Sequence, residues 1–146
     1  LDRFGLSVEV VSPRDVATRV EVIRRRDGFE RDRAAFLARW RAEDDLLRAR
    51  ILGARAALPA LATPDAVLTD CAELCIALGS DGLRGELTLL RAARALAAFE
   101  GERTVTRAHL RSVAPSALRH RLRRDPLDEA GSSARVARTM DEVLPA

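Results

Sequence analysis

Residues 79–100 read GSDGLRGELTLLRAARALAAFE, and this stretch carries the side chains whose type and spacing most suggest chemistry. At about 100° per residue, Arg84, Thr88 and Arg91 fall together on one strip of a helix. They lie beside a face made of Leu83, Leu87, Leu90 and Ala97, broadened by Leu89, Ala93 and Leu96. A guanidinium held at a fixed height on a buried helix offers a planar fork of donors and a permanent charge, which suits a phosphate oxygen or a carboxylate. Residue type alone favours ordinary surface ion pairing over a bound anion, and both uses stay open at this level.

The remaining reactive residues are sparse. Cys71 and Cys75 sit four apart in an apolar helical stripe, poorly spaced for a disulfide and without further metal ligands nearby, so they are expected as reduced core thiols. His109 and His120 have no acidic or thiol partner in register and are expected as surface side chains rather than catalysts. Arg24 to Arg26 and the run Arg119-His120-Arg121-Leu122-Arg123-Arg124 are basic ends of helices, where positive charge meets the negative end of the dipole. There is no GxxxxGK[ST] phosphate loop, HExxH motif, Ser/His/Asp set or cysteine cluster, so the chain alone is not a self-sufficient enzyme.

The elements that must hold these residues are almost all helical. Only at Leu6–Val11 does the apolar period change to two, which predicts one short strand. A lone strand must find its hydrogen-bonding partners outside the chain or in a second copy. Together with a start on Leu1, this is the expectation for part of a larger protein. Ser12-Pro13 is expected to cap a helix running through Val16, Val20 and Ile23 to Arg24–Arg26, followed by a polar turn at Asp27–Asp32. Arg33 to Leu58 reads as a short helix and a longer one, interrupted by the charged residues Arg41–Asp45, with Trp40 as a core anchor. Thr63-Pro64-Asp65 opens a helix through Val67, Leu68, Cys71, Leu74, Cys75 and Leu78, ending at Gly79. The central helix follows, with Ser80 or Asp81 as its cap. Thr106 starts another, carrying Leu110, Val113, Leu118 and Leu122, with Pro115 as a kink or restart. Residues 125–133 read as a connector and Ser133–Leu144 as a last, weakly held helix.

The totals fit this class. A chain of 146 residues can bury one core, and 47% hydrophobic with 32% charged residues favours a packed helical protein over a disordered one. Tyrosine is absent and aromatics make up 3%, which deprives a β architecture of its preferred residues. All 25 basic residues are arginine, so no Schiff-base or phosphate-loop lysine is available. The formal charge of +3 is too small to select a nucleic-acid partner. No leader or long apolar span is present, and reduced cysteines suit a cytoplasm or a plastid stroma.

Three long stretches, LDRFGLSVEVVSPRDVATRVEVIRRR, CAELCIALGSDGLRGELTLLRAARALAAFEG and HRLRRDPLDEAGSSARVARTMDEVL, resemble the C-terminal portion of the magnesium chelatase I subunit family. These are AAA+ ATPase motors that drive Mg²⁺ into protoporphyrin IX in chlorophyll and bacteriochlorophyll synthesis. The similarity spans nearly the whole chain and is weakest over Gly28–Thr63. It implies a mainly α helical bundle of the AAA+ lid type, with one short N-terminal β-strand left from a nucleotide-binding domain. Residues 1–11 would end that domain, 12–124 would form the lid, and 125–146 would be a polar connector and C-terminal helix.

By the same resemblance Arg3 is an arginine finger acting on the γ-phosphate of ATP in a neighbouring subunit, and Asp2 is the interface residue beside it. Arg84, in GLRGEL, matches the sensor 2 arginine that contacts ATP from the lid. The implied cofactors are ATP and Mg²⁺ in the full subunit, with none bound by this chain alone. The implied partners are a homo-oligomeric ring, expected as a hexamer, the D subunit and the porphyrin-binding H subunit, with no membrane and no nucleic acid. The phosphate loop and acidic motif of the family are missing, so this chain is expected to hydrolyse nothing by itself. Two alternatives remain: the lid of a MoxR-like or cobalt-chelatase-type AAA+ ATPase, and a freestanding helical module binding nucleic acid through Arg24–Arg26 and Arg119–Arg124. The run DPLDEAGSSARVAR favours magnesium chelatase over the first.

Overall fold

The computed structural model describes residues 4–80, 82–122 and 131–145. Among them are six α-helices: α1 Val16–Arg31, α2 Arg33–Ala57, α3 Asp65–Ala77, α4 Arg84–Glu100, α5 Arg107–Leu118 and α6 Gly131–Val143. The mainly α class follows, and the chain falls into two compact units, Glu9–Leu52 and Leu1–Val8 with Gly53–Ala146. The expected strand at Leu6–Val11 is not formed; among the described residues the only β pairing is an isolated parallel bridge between Ala62 and Thr104. A strand exists only as part of a ladder, and no extended segment among the described residues supplies one.

In the first unit, Asp15 rather than Ser12 caps α1, its Oδ1 accepting the Thr18 N–H at 2.7 Å. That bond holds the Asp15 carboxyl below the usual carboxylate range. Pro13 therefore lies outside the helix. The helix also does not stop at the arginine run: it continues through Gly28 to Arg31, with pairs one turn apart between Arg26 and Glu30 (2.7 Å) and between Arg31 and Asp27 (2.9 Å). Asp32 ends α1 with its N–H on Gly28 O and caps α2 by accepting the Ala35 N–H at 2.9 Å. The charged stretch Arg41–Asp45 does not interrupt α2, because its residues are compatible with a helix and need no core to be stable. Neither helix buries a residue, so Val16, Val20 and Ile23 line no core. Trp40 instead joins a small aromatic cluster, with its ring 6.1 Å from Phe36 and the Arg25 guanidinium 4.7 Å above it.

The second unit holds the core. Leu74 and Cys75 from α3, Leu89, Ala93 and Ala97 from α4, Leu110, Ala114, Ala117 and Leu118 from α5, and Val136 from α6 are all buried together. The last helix is thus part of the core rather than a fraying end, and Leu144 just beyond it is fully buried. Arg111 fastens it to α5 by donating to Met140 O at 3.1 Å, to Leu144 O, and to Asp141 Oδ1 at 2.6 Å. Arg107, at the start of α5, makes a bidentate pair with the buried Asp70 of α3, both contacts at 2.9 Å. Asp70 thereby keeps the guanidinium more strongly protonated than usual.

Helix α4 is buried along a different face from the one its leucines suggest. The buried row is Gly85, Leu89, Ala93 and Ala97, spaced by four, while Leu83 and Leu87 are 73% and 48% exposed. Small residues in that row let a neighbouring helix pack closely, and the larger leucines are left on the flank. Leu89→Ala should therefore cost about 2–5 kcal/mol of folding stability, against less than about 0.5 kcal/mol for Leu83→Ala. Urea melts of the two variants check this, and equal losses would contradict the assigned face.

Candidate functional site

Arg84 opens α4, and the turn before it is set by the end of α3. Gly79 adopts φ 68°, the left-handed conformation that costs a residue with a Cβ but not glycine. This lets Gly79 N–H reach Ile76 O at 2.9 Å and Ser80 N–H reach Cys75 O at 3.0 Å, which closes the end of α3. Ser80 does not cap the next helix, whose N-cap is Leu83 with no side-chain bond; Asp81 lies outside the described residues. Instead Ser80 packs against Gly85, where an added Cβ would collide with its Oγ and lie 3.6 Å from Leu118 Cδ2.

Arg84 is exposed at the first position of α4, where the unpaired amides of a helix start already favour negative charge. A guanidinium there adds to that positive field instead of compensating it. Arg91 is also exposed and Thr88 half-buried between them, so the strip persists, but it lies on the side of α4 away from the buried row rather than at its edge. Arg91 lines a groove of about 410 Å³ with Leu58, Leu87, Leu90, Arg94 and Ala95. Asp2 and Arg3 lie outside the described residues.

What the structure brings to Thr88 is the chain just after Arg3. Gly5 lies against it, with Thr88 Cγ2 3.8 Å from where a Cβ would stand. Phe4 O accepts from His120 Nε2 at 2.9 Å and from Arg121 Nη2 at 2.9 Å. A carbonyl cannot donate, so Nε2 carries the proton and His120 clamps this stretch of backbone. Arg121 also donates through Nε to Ala117 O at 3.1 Å and through Nη2 to Thr88 Oγ1 at 3.4 Å. Ser7 N–H reaches Ser116 O at 2.8 Å.

These contacts complete the end of α5. A helix leaves its last four carbonyls without internal partners. Here Pro115 O takes Arg119 N–H, Ser116 O takes Ser7 N–H, Ala117 O takes the Arg121 side chain and Leu118 O takes Arg121 N–H. Sequence reading missed the Phe4 and Ser7 contacts because these residues lie more than 100 positions from His120, Arg121 and Ser116; the only local signal was a cluster of donors just past a helix end.

The other candidates resolve into structural roles. His109 is buried; its Nδ1 accepts the Thr106 N–H at 2.9 Å, part of a reciprocal cap, and its Nε2 lies 3.1 Å from Glu100. The surface placement expected for it is corrected, since Glu100 lies nearby only once α4 and α5 fold together. Cys71 and Cys75 are free and buried as expected, and the hydrogen bond with Cys71, reinforced by burial, raises the Cys75 thiol well above its usual range. Arg24 and Arg25 both bind Glu21, at 2.9 and 2.8 Å, and Arg26 binds Glu30, so that run is largely paired within α1. The donors of Arg25 and Arg24 hold the Glu21 carboxyl below its usual range. No group of three or more metal-binding side chains occurs among the described residues, and no helix there is long and apolar enough to cross a membrane.

A protein-family model described as the AAA lid domain matches residues 68–141, from α3 into α6. The chain belongs to the AAA lid family. It is 74% identical over 145 residues to the magnesium-chelatase 38 kDa subunit of Cereibacter sphaeroides, covering 99% of this chain and 43% of the relative. The 38 kDa subunit of Rhodobacter capsulatus is 69% identical over 145 residues, covering 99% of this chain and 41% of the relative. The chloroplastic magnesium-chelatase subunit ChlI of Oryza sativa subsp. indica is 40% identical over 144 residues, again 99% of this chain but 35% of the relative. The chain thus spans less than half the length of these relatives.

Within this AAA lid, the contact between Ser80 and Gly85 has a measurable consequence for the turn that presents Arg84. Alanine favours a helix over glycine by about 1 kcal/mol, whereas overpacking costs about 1–3 kcal/mol. Gly85→Ala should therefore be neutral or destabilising alone and stabilising by about 1 kcal/mol in a Ser80→Ala background. Chemical denaturation of the four chains of this cycle tests it, and equal effects in both backgrounds would show that the contact is not limiting.

Proposed function

We propose that this chain is the lid-bearing part of the ATPase motor subunit of a magnesium chelatase, which couples ATP hydrolysis to insertion of Mg²⁺ into protoporphyrin IX in chlorophyll or bacteriochlorophyll synthesis. The observation carrying this reading is 74% identity over 99% of the chain to a magnesium-chelatase subunit, together with the lid match. In this proposal residues 1–11 close the nucleotide-binding core, 12–124 form the lid and 125–146 follow it. The phosphate loop and the ligands of the Mg²⁺ that accompanies ATP belong to the rest of the subunit, so the chain in hand is inactive alone.

Arg84 acts in this reading as the sensor 2 residue. Its position supports the role: an exposed guanidinium at a helix start, on a helix anchored through Leu89, Ala93 and Ala97, offers donors of fixed position to a terminal phosphate. Arg3 is assigned as the finger reaching the neighbouring subunit's ATP, and Asp2 as its interface neighbour. Charge supplied across the boundary in this way accelerates phosphoryl transfer by roughly 10³–10⁵. The assembly implied is a homo-oligomeric ring, a hexamer in this proposal, working with the D subunit and the porphyrin-binding H subunit in a cytoplasm or plastid stroma.

In the full-length subunit, Arg84→Ala should lower ATP turnover by about 10²-fold or more while leaving the melting temperature essentially unchanged, because the side chain is exposed. Arg3→Ala should nearly abolish turnover, and only through the neighbour. Rings mixed from Arg3→Ala subunits and phosphate-loop variants should therefore recover activity, and mixtures inactive at every ratio would defeat the finger assignment.

A further inference from the structure

We propose that Arg121 is a positioning residue that ties the finger segment to the sensor helix, and so links the nucleotide site served by Arg84 to the neighbouring site served by Arg3. This rests on the assignment of Arg3 and Arg84 given above. The carbonyl of Phe4, the residue after Arg3, receives two hydrogen bonds of 2.9 Å, one from His120 and one from Arg121. Two donors fill both lone pairs of that oxygen, so the peptide is fixed in position and in orientation. The same Arg121 guanidinium reaches Ala117 O in the last turn of α5 and Thr88 Oγ1, one turn along α4 from Arg84. Ser7 N–H on Ser116 O adds a second attachment three residues further on.

One side chain therefore contacts three structures at once: the sensor helix, the end of α5 and the backbone that carries the finger. Arg3 is joined to the clamped residue by a single peptide, a Cα step of about 3.8 Å. Misplacing a catalytic group by about 1 Å can cost on the order of a hundredfold in rate. A shift of α4 as Arg84 meets or loses a phosphate is carried by the Arg121 contacts to Phe4, and from there to the group offered to the next subunit. Arginine suits the task because its planar fork serves several acceptors in different directions, whereas an ammonium serves them from one point.

The test uses rings of the full-length subunit and measures kcat and KM for ATP in wild type, Arg3→Ala, Arg121→Ala and the double variant. Arg121→Ala should lower kcat by roughly ten- to a hundredfold with KM changed less than about twofold. The double variant should be no slower than Arg3→Ala alone, because a displaced finger and an absent one are equivalent. Arg121→Lys, which keeps the charge but donates from a single nitrogen, should recover part of the rate. If Arg3→Ala is inactive but Arg121→Ala turns over normally, the positioning role is overturned while the finger stands. Multiplying losses in the double variant also overturn it, since Arg121 would then act independently of the finger. An active Arg3→Ala ring overturns the finger assignment and this proposal with it. Should Arg121→Ala fail to assemble, Arg121→Lys replaces it in the same cycle, and a kcat equal to wild type there overturns the proposal.

Discussion

The seam between α4 and α5 is the contact on which the second unit depends. Leu89, Ala93 and Ala97 face it from one helix, and Leu110, Ala114 and Ala117 from the other, all fully buried. Four of these six are alanine, so the helices pack through small side chains, with each large leucine providing about 1.5–3 kcal/mol of burial. The remaining elements are placed by this seam. Helices α3 and α6 cover it with Leu74, Cys75 and Val136, and the polar ties Asp70–Arg107 and Arg111–Asp141 set their positions.

From that packing follows the demand that shapes the site. Once α5 ends at Leu118 against the core, its last carbonyls need donors, and they take them from Arg119, Arg121 and Ser7. The segment at Phe4–Ser7 is thus held by the same rule that governs any helix end, that buried backbone acceptors must be paired. The strip from Arg84 to Arg91 lies on the opposite side of α4 from the core, so its charges can meet a phosphate without entering a low-dielectric interior.

The first unit is held by different forces. Helices α1 and α2 bury no residue, and their described contacts are exposed ion pairs one turn apart and an aromatic cluster of Phe29, Phe36 and Trp40. Solvent screens these exposed pairs, so each contributes little, and α1 and α2, which bury no residue, rely on local propensity. This is why charged stretches such as Arg24–Arg26 and Arg41–Asp45 pass through the middle of these helices without breaking them. In sequence they look like boundaries, because charge runs usually end a buried face.

Helical class, the start of α5 at Thr106 and the stop of α3 at Gly79 were legible from sequence alone, because a cap and a left-handed glycine are local requirements. The family resemblance was legible for the same reason: its motifs are contiguous runs. Three features were settled only by the fold. The buried side of α4 was decided by α5, whose alanine row selects Gly85, Leu89, Ala93 and Ala97 over the bulkier leucines beside them. His109 and His120 acquired partners only when Glu100 and Phe4 came near in space. The residues at Leu6–Val11 have the alternation of a strand but form none, since a ladder is a property of two segments and periodicity describes only one.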